Sequence, residues 1–149
     1  MDLTWFDYPI IVFPHQTDYG GVVWHGTYLT WLEEARVACL DSIGVNFADF
    51  VASGVDMPVV EIKSLKYKHP LQLGQKAIVK TRVSFDKLRI WWEYKIESED
   101  VNNIGSENIK IHMTCSLALA VIDQNTGRIL RRLPPPVQSA LEKLSLRFS

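Results

Sequence analysis

Apolar residues recur early in the chain at the spacing of one helix face. From Tyr28 onward they stand three and four positions apart, and Gly44 is placed to end the run. The charged residues Glu33, Arg36 and Asp41 fall elsewhere on the helical wheel. The apolar positions are Tyr28, Trp31, Leu32, Ala35, Ala38 and Cys39. The pattern predicts one long amphipathic helix that begins at Tyr28.

The second half of the chain changes to a period of two, which is typical of strands. In the segment RIWWEYKIE, residues 89–97, apolar or aromatic side chains at the even positions alternate with Trp91, Glu93 and Lys95 at the odd positions. The segment IKIHMTCSLALAV, residues 109–121, alternates in the same way. These segments predict two long antiparallel strands, with the turn residues NNIG at 102–105 between them.

Weaker patterns complete the predicted order of elements. They are a strand at Ile10–Phe13 between Pro9 and Pro14, a short helical or irregular piece at 47–52, strands at Met57–Tyr67 and Lys76–Ser84, an NTG turn at 125–127, and a proline-led helix at 134–144. One helix followed by a run of meandering strands predicts an α+β fold, in which a curved antiparallel sheet wraps the helix. With 149 residues and no repeat or linker, the chain 1–149 is expected to form a single domain.

Charge and cysteine content narrow the class of function. A formal net charge of −1 gives no broad basic surface for nucleic acid. No apolar run approaches the roughly 18 residues of a membrane span, and Asp2 and Asp7 stand where a secretion signal needs positive charge. Cys39 and Cys115 lie in apolar segments without metal-ligand spacing, which predicts buried thiols. We expect a cytoplasmic protein without bound metal, whose partner is a small molecule or another copy of itself.

The segment QTDYGGVVWHGTY, residues 16–28, places a carboxylate, two adjacent glycines and a histidine just before the helix. Together with the order of elements it resembles the hotdog-fold acyl-CoA thioesterases of the 4-hydroxybenzoyl-CoA type, whose signature is T-D-x-x-G-V-V-x-[H/Y]-x-x-Y. The matching positions are Thr17, Asp18, Gly21, Val22, Val23, His25 and Tyr28. The longer run PHQTDYGGVVWHGTYLTWLEEARV is most similar to the 1,4-dihydroxy-2-naphthoyl-CoA thioesterases of the phylloquinone pathway.

The resemblance implies a homo-oligomer, a dimer of dimers with active sites between subunits, that hydrolyses an aromatic acyl-CoA. Coenzyme A is then part of the substrate, and no other cofactor is expected. The resemblance also implies that Lys87 and Arg89, in the bend FDKLR, bind the nucleotide of coenzyme A, although an ordinary solvated turn explains the same residues. Trp91 shares a strand face with charged residues, which a subunit interface or an aromatic ligand would explain, and the resemblance favours the interface.

Asp18 is the candidate catalytic residue. A carboxylate that is ionised at neutral pH can attack the thioester carbon directly or take a proton from water as a general base, and the sequence leaves both routes open. The unpaired N–H groups at the helix start would receive the oxyanion, and Gly26 would let a ligand approach that backbone. The resemblance implies that the backbone N–H at His25 binds the thioester oxygen. Its side chain would orient Asp18 or protonate the leaving thiolate.

Several of these residues have a structural alternative. An aspartate between a strand and a helix, such as Asp18, is also a common turn former or helix cap. Glu33 and Arg36 are expected to form an i,i+3 ion pair with a structural role. His112 and Cys115 are expected to point to opposite faces of one strand, which argues against a metal site.

Tyr19 and Trp24 are the candidate walls of an aromatic acyl pocket, because flat rings stack on one another. Trp31, in phase with the apolar helix face, is expected in the core instead. Two other functions stay open, a general or fatty acyl-CoA thioesterase and a non-catalytic acyl-binding hotdog module. A hotdog dehydratase would need a different arrangement of histidine and carboxylate.

Overall fold

The computed structural model describes residues 4–99 and 108–149. The strands are β1 Phe6–Ile11, β2 Val55–Asp56, β3 Val59–Tyr67, β4 Lys76–Asp86, β5 Arg89–Glu99, β6 Ile109–Ala120 and β7 Ile122–Asp123. The helices are α1 His25–Ser42, α2 Phe47–Ala52 and α3 Pro135–Arg147, and a 3₁₀ turn covers Pro14–Gln16. Within the described ranges, no helix has both the length and the apolar character needed to cross a bilayer.

One antiparallel sheet of five strands, in the order β1-β4-β5-β6-β3, packs against α1. Along β5 every second residue from Ile90 to Ser98 is buried, as the period of two predicts. The buried side chains of β5 and β6 share one core with the apolar face of α1, which includes Trp31 and Leu32. The predicted α+β arrangement is confirmed, and Trp31 lies in the core as expected.

Strand β1 differs from its prediction because Pro9 lies inside the strand. It runs from Phe6 to Ile11, and Pro9 is paired with Ile78 of β4. β1 is at the edge of the sheet, where a residue without an N–H group can be placed without losing a ladder hydrogen bond. The predicted bounds Ile10–Phe13 were therefore wrong.

Helix α1 begins at His25, almost one turn before the apolar pattern does. Its other end is closed at Gly44, which has φ of +81°. The Gly44 N–H donates to the Asp41 carbonyl at 2.9 Å, and the Val45 N–H donates to the Leu40 carbonyl at 3.0 Å. These two bonds form a Schellman motif, which is why the predicted helix end is confirmed.

The remaining predicted elements are found with small shifts in their bounds. The NTG turn closes through a bond from the Gly127 N–H to the Asp123 carbonyl at 2.8 Å. The C-terminal helix α3 continues three residues beyond the predicted end, to Arg147. The NNIG turn at 102–105 lies outside the described residues.

The alternation of β6 is interrupted by a bulge at His112. Ile96 of β5 pairs with Met113 while the next residue, Glu97, pairs with Ile111, so His112 is an extra residue in β6. Its side chain is buried, and its Nε2 lies 2.6 Å from the Oγ of Ser98, an inward-facing residue of β5. Cys115 is buried as well, so the expectation that His112 and Cys115 point to opposite faces of the strand was wrong, because a bulge breaks the period of two.

Candidate active site

The candidate site is a tight hairpin, residues 17–23, that leads directly into α1. Thr17 pairs with Val23 in an antiparallel bridge. Inside the hairpin, the Asp18 N–H donates to the Val22 carbonyl at 2.8 Å, and the Gly21 N–H donates to the Asp18 carbonyl at 3.1 Å. These bonds fix the backbone of Asp18 close to the start of the helix.

The carboxylate of Asp18 is exposed but held in one orientation. Its Oδ1 accepts hydrogen bonds from the backbone N–H groups of Gly20 at 2.9 Å and Val22 at 3.2 Å. Among the described residues, no protein group donates to Oδ2. Asp18 is therefore a turn former, as its structural alternative proposes, and it also presents one carboxylate oxygen to a ligand.

The N-terminus of α1 can accept negative charge. Its N-cap residue, Trp24, makes no side-chain capping bond, and its first turn contains no acidic residue. The N–H groups of His25 and Gly26 have no intrahelical carbonyl to bond, as in the first turn of any helix. The helix dipole adds about half a positive charge at the same place. These N–H groups suit the oxygen of a polarised carbonyl.

Gly26 leaves space that the ring of Trp24 occupies. A Cβ atom at Gly26 would lie 2.0 Å from the indole ring of Trp24, so the ring occupies the space that the glycine leaves. Trp24 is 55% exposed, and its ring centroid lies 4.8 Å from that of His25. Gly26 is needed for this ring to lie across the helix start. The indole is therefore part of the surface that a ligand would meet at the helix start.

Two aromatic residues of the motif, Tyr19 and Trp24, are exposed, whereas Tyr28 is buried in the core. Tyr19 is fully exposed at the tip of the hairpin, and Trp24 is largely exposed beside it. Both rings are accessible to a ligand or to another subunit.

The predicted coenzyme A residues lie at the opposite end of the sheet from Asp18. Lys87 lies in the turn that joins β4 to β5, and Arg89 is the first residue of β5. The hairpin of Asp18 instead contacts the segment before β4, where Val22 pairs with Gln72. Because β4 has 11 residues, its two ends are separated by up to about 33 Å of strand. One chain therefore does not bring Asp18 together with Lys87 and Arg89.

Comparison with known proteins places the chain in a family. A family model, described as the thioesterase-like superfamily, matches residues 12–143. The chain belongs to this superfamily. The thioesterase is 48% identical over 141 residues to a Synechocystis protein named "Putative esterase", a match that covers 94% of this chain and 80% of that protein.

Two further comparisons cover almost the whole thioesterase. It is 28% identical over 142 residues to the 1,4-dihydroxy-2-naphthoyl-CoA hydrolase of Thermosynechococcus vestitus, covering 95% of this chain and 94% of that one. The structure of a DHNA-CoA thioesterase from Staphylococcus aureus superposes with a TM-score of 0.78 at 28% identity, covering 95% of this chain and 91% of that one. The expectation of a hotdog-fold acyl-CoA thioesterase is therefore confirmed.

Three residues of the site in this thioesterase were not predicted. The Tyr67 hydroxyl, at the end of β3, donates to the His25 carbonyl at 3.2 Å. The Gln16 carbonyl accepts from the Trp24 N–H and from the Thr27 hydroxyl, which joins the hairpin to α1. No periodic or motif signal marks Tyr67, because its partner is 42 positions away in sequence.

The expected ion pair of Glu33 and Arg36 is not formed. Among the described residues no carboxylate lies within ion-pairing distance of Arg36. Its Nη1 donates instead to the hydroxyl of Tyr94, a buried residue of β5, at 3.1 Å. Burial raises the pKa of Tyr94, so its hydroxyl stays neutral. The predicted pair was wrong because Arg36 reaches across to the sheet.

The two cysteines are buried and free, as predicted. Burial raises the pKa of Cys39 to about 12 and that of Cys115 to about 11. Both remain neutral thiols at physiological pH, so neither is suited to nucleophilic catalysis.

Proposed function

We propose that this thioesterase hydrolyses an aromatic acyl-CoA, with 1,4-dihydroxy-2-naphthoyl-CoA as the candidate substrate, and that Asp18 acts on the thioester. The observation that carries the proposal is the hairpin that fixes an exposed carboxylate beside the N-terminus of α1. A thioester carbonyl needs this pair of features, a group that attacks its carbon and donors that receive its oxygen.

Two routes use the same residues. In the nucleophilic route a carboxylate oxygen of Asp18 bonds to the thioester carbon, the C–S bond breaks, and coenzyme A leaves as a thiolate. Water then opens the mixed anhydride and restores the carboxylate. In the general-base route Asp18 takes a proton from the attacking water. In both routes the N–H groups of His25 and Gly26 stabilise the carbonyl oxygen as it gains charge, and the His25 side chain protonates the leaving thiolate.

Two observations support an aromatic acyl group as part of the substrate: the similarity of the chain to named thioesterases, and two exposed aromatic rings near Asp18. Two of the related proteins described above carry the name of a 1,4-dihydroxy-2-naphthoyl-CoA hydrolase or thioesterase. The exposed rings of Tyr19 and Trp24 lie on the hairpin and at the helix start, where a flat acyl group would stack on them.

We also propose that the active enzyme is a homo-oligomer, a dimer of dimers. The edge strand β3 exposes several large apolar side chains, namely Val59, Val60, Ile62 and Tyr67. An exposed apolar edge strand is a surface on which another chain can pair. Tyr67 also contacts the helix start, so a partner on β3 would lie next to the candidate site.

A hydrolysis panel tests the proposed substrate class. Thiol release is measured with 1,4-dihydroxy-2-naphthoyl-CoA, benzoyl-CoA and octanoyl-CoA under identical conditions. We expect kcat/KM for the aromatic esters to exceed that for octanoyl-CoA by about tenfold or more, which corresponds to ~1.4 kcal/mol. Equal or reversed preference would contradict the aromatic assignment and favour a general or fatty acyl-CoA thioesterase. Tight binding of all three esters without thiol release would contradict hydrolysis itself.

A further inference from the structure

A second feature of the chain lies away from Asp18, in a partly open cavity of about 290 Å³. The cavity is enclosed by α1, α2, α3 and the inner face of β5 and β6. Its walls are mostly apolar and include Phe47, Phe50, Leu119 and Leu144. This volume is at the lower end of the range for small-molecule sites, which suits a ligand of one or two rings or a short chain.

Trp92, one of the residues that line the cavity, has a buried polar atom without a hydrogen-bond partner. Trp92 is 2% exposed, and among the described residues no acceptor lies within hydrogen-bonding distance of its Nε1. A buried donor without a partner costs about 1–3 kcal/mol, and most buried donors in proteins are satisfied. An acceptor atom on a ligand in the cavity would remove this cost.

The guanidinium of Arg36, which has no ion-pair partner among the described residues, lines the same cavity. Arg36 donates one hydrogen bond to Tyr94, and within residues 4–99 and 108–149 no carboxylate pairs with its charge. Tyr94 and Trp92 are adjacent inward-facing residues of β5, so Arg36 reaches the strand beside the indole. Arg36 of α1 and Trp92 of β5 both line the cavity, and a guanidinium and an indole N–H are each donors that a carboxylate can accept from.

The acidic residues of the cavity are on its solvent side. Glu33 and Asp56 both line it, and both are exposed, whereas Trp92 is buried. Asp56 also accepts a hydrogen bond from the Met57 N–H at 2.8 Å. Negative charge at the mouth opposes a ligand that carries phosphates there, as coenzyme A does, more strongly than one whose single acidic group lies deeper, at Arg36.

The cavity is separate from the candidate active site. Its residue on α1 nearest the helix start is Glu33, eight positions after His25, which corresponds to about 12 Å along the helix axis. None of Asp18, Tyr19, Trp24 or His25 lines it.

We propose that this cavity binds a small apolar carboxylic acid, aromatic or short-chain, whose carboxylate accepts hydrogen bonds from Trp92 Nε1 and Arg36. Such an acid is the chemical class of the product in the proposed hydrolysis, but binding at the cavity does not depend on that reaction. The apolar part of the acid contacts Phe47, Phe50 and Leu119, and the free acid is preferred over its thioester.

The test titrates the full chain with 2-naphthoate and follows the indole N–H signals by two-dimensional NMR, with calorimetry for the affinity. We expect the Trp92 signal to shift on binding. Trp92→Phe, which removes the donor and keeps an aromatic ring, should weaken binding by about tenfold or more. Trp91→Phe is the matched control, because Trp91 is the neighbouring residue on the outer face of the strand, and it should bind as the wild type does.

Two further measurements keep the proposal falsifiable if Trp92→Phe does not fold. The neutral 2-naphthamide should bind the wild type at least about tenfold more weakly than the acid, because a charge-assisted bond is stronger. Asp18→Asn should leave the affinity for 2-naphthoate unchanged. The proposal is overturned if the Trp92 signal does not move, if the amide binds as tightly as the acid, or if Asp18→Asn abolishes binding, which would place the acid in the active site.

Discussion

The carboxylate of Asp18 has a structural role in the hairpin and, in the proposed function, a chemical role as well. Both hydrogen bonds to the hairpin amides use Oδ1, so the orientation of the carboxylate is fixed while Oδ2 is directed to neither of them. Asp123 offers a close parallel, since its Oδ1 accepts from the N–H groups of Asn125 at 2.8 Å and Thr126 at 3.0 Å. Asp123 closes a turn between β7 and the following segment, away from the start of α1. Comparing the same substitution at Asp18 and at Asp123 therefore distinguishes an effect on turn formation from an effect on the proposed catalysis.

Asp18→Asn should retain the fold and lower kcat for aromatic acyl-CoA by about 10²-fold or more, because a positioned acid or base contributes 10²–10⁴. The amide oxygen of asparagine can still accept from Gly20 and Val22, whereas the charge is lost. Asp123→Asn, the control, should keep wild-type kcat. Turnover and thermal unfolding are measured for both variants. A folded Asp18→Asn protein with near-normal turnover, or an equal loss in both variants, would refute the role of Asp18.

The bulge in β6 creates a buried histidine whose protonation state follows from its neighbours. His112 Nδ1 lies 3.0 Å from the His69 carbonyl oxygen, which can only accept, so Nδ1 carries the proton. Nε2 then accepts from the Ser98 hydroxyl at 2.6 Å. Burial lowers the pKa of His112 below its ordinary value of 6.5. The bulge therefore holds a neutral imidazole that joins β5, β6 and the loop before β4.

This arrangement predicts a loss of stability in acid. Well above pH 6.5 His112 is neutral in both the folded and the unfolded state, so its full contribution to the free energy of unfolding is present. Below pH 6.5 the unfolded chain takes up a proton that the folded chain resists, so the free energy of unfolding falls as the pH decreases through the folded pKa. The slope from one such group is at most about 1.4 kcal/mol per pH unit.

Denaturant unfolding between pH 5 and 8 measures the effect. His112→Gln should show a shallower fall in unfolding free energy below pH 6.5 than the wild type, whatever its stability at pH 8. His15→Gln makes the same change at an exposed position and should follow the wild-type slope. If all three proteins lose stability in parallel on acidification, His112 is not the group responsible.

The arrangement of the whole chain separates the two halves of the proposed acyl-CoA site. Lys87 and Arg89 line a groove of about 940 Å³ with Arg131 and Arg132, between the β4–β5 turn and α3. Arg89 also forms an ion pair with Glu61. This basic groove suits phosphates, but it lies at the far end of the sheet from Asp18. A complete site then requires the groove of one subunit beside the Asp18 hairpin of another.

Complementation between subunits tests this arrangement. Lys87→Ala combined with Arg89→Ala should raise KM for acyl-CoA by about tenfold or more, with little change for a truncated thioester that lacks the nucleotide. Co-expression of this double variant with Asp18→Asn should restore activity above that of either variant alone, because mixed oligomers contain sites with both an intact hairpin and an intact groove. Failure of the mixed oligomers to recover activity would contradict a shared site. An equal rise in KM for the truncated ester would show that the groove does not bind the nucleotide.

Local patterns in the sequence determined most of the elements and the location of the chemistry. The three- and four-residue spacing of α1, the alternation of β5 and β6, and the glycine at position 44 all act through neighbours in sequence, so they could be recognised without coordinates. The same holds for the motif around Asp18, whose carboxylate bonds to amides two and four residues away. Because these interactions join residues only a few positions apart, the amino-acid sequence of the segment is enough to specify them.

The tertiary structure decided what depends on contacts between distant segments. Pro9 lies inside a strand because β1 forms the sheet edge, and His112 turns inward because β6 carries one residue more than β5 at that point. Arg36 donates a hydrogen bond to Tyr94, 58 positions away in sequence, and forms no ion pair with its neighbour Glu33. The separation of Asp18 from Lys87 follows from the length of β4 and the order of the strands. Which of these distant residues a side chain contacts depends on packing and hydrogen bonding in three dimensions. The spacing of residues along the sequence does not contain that information.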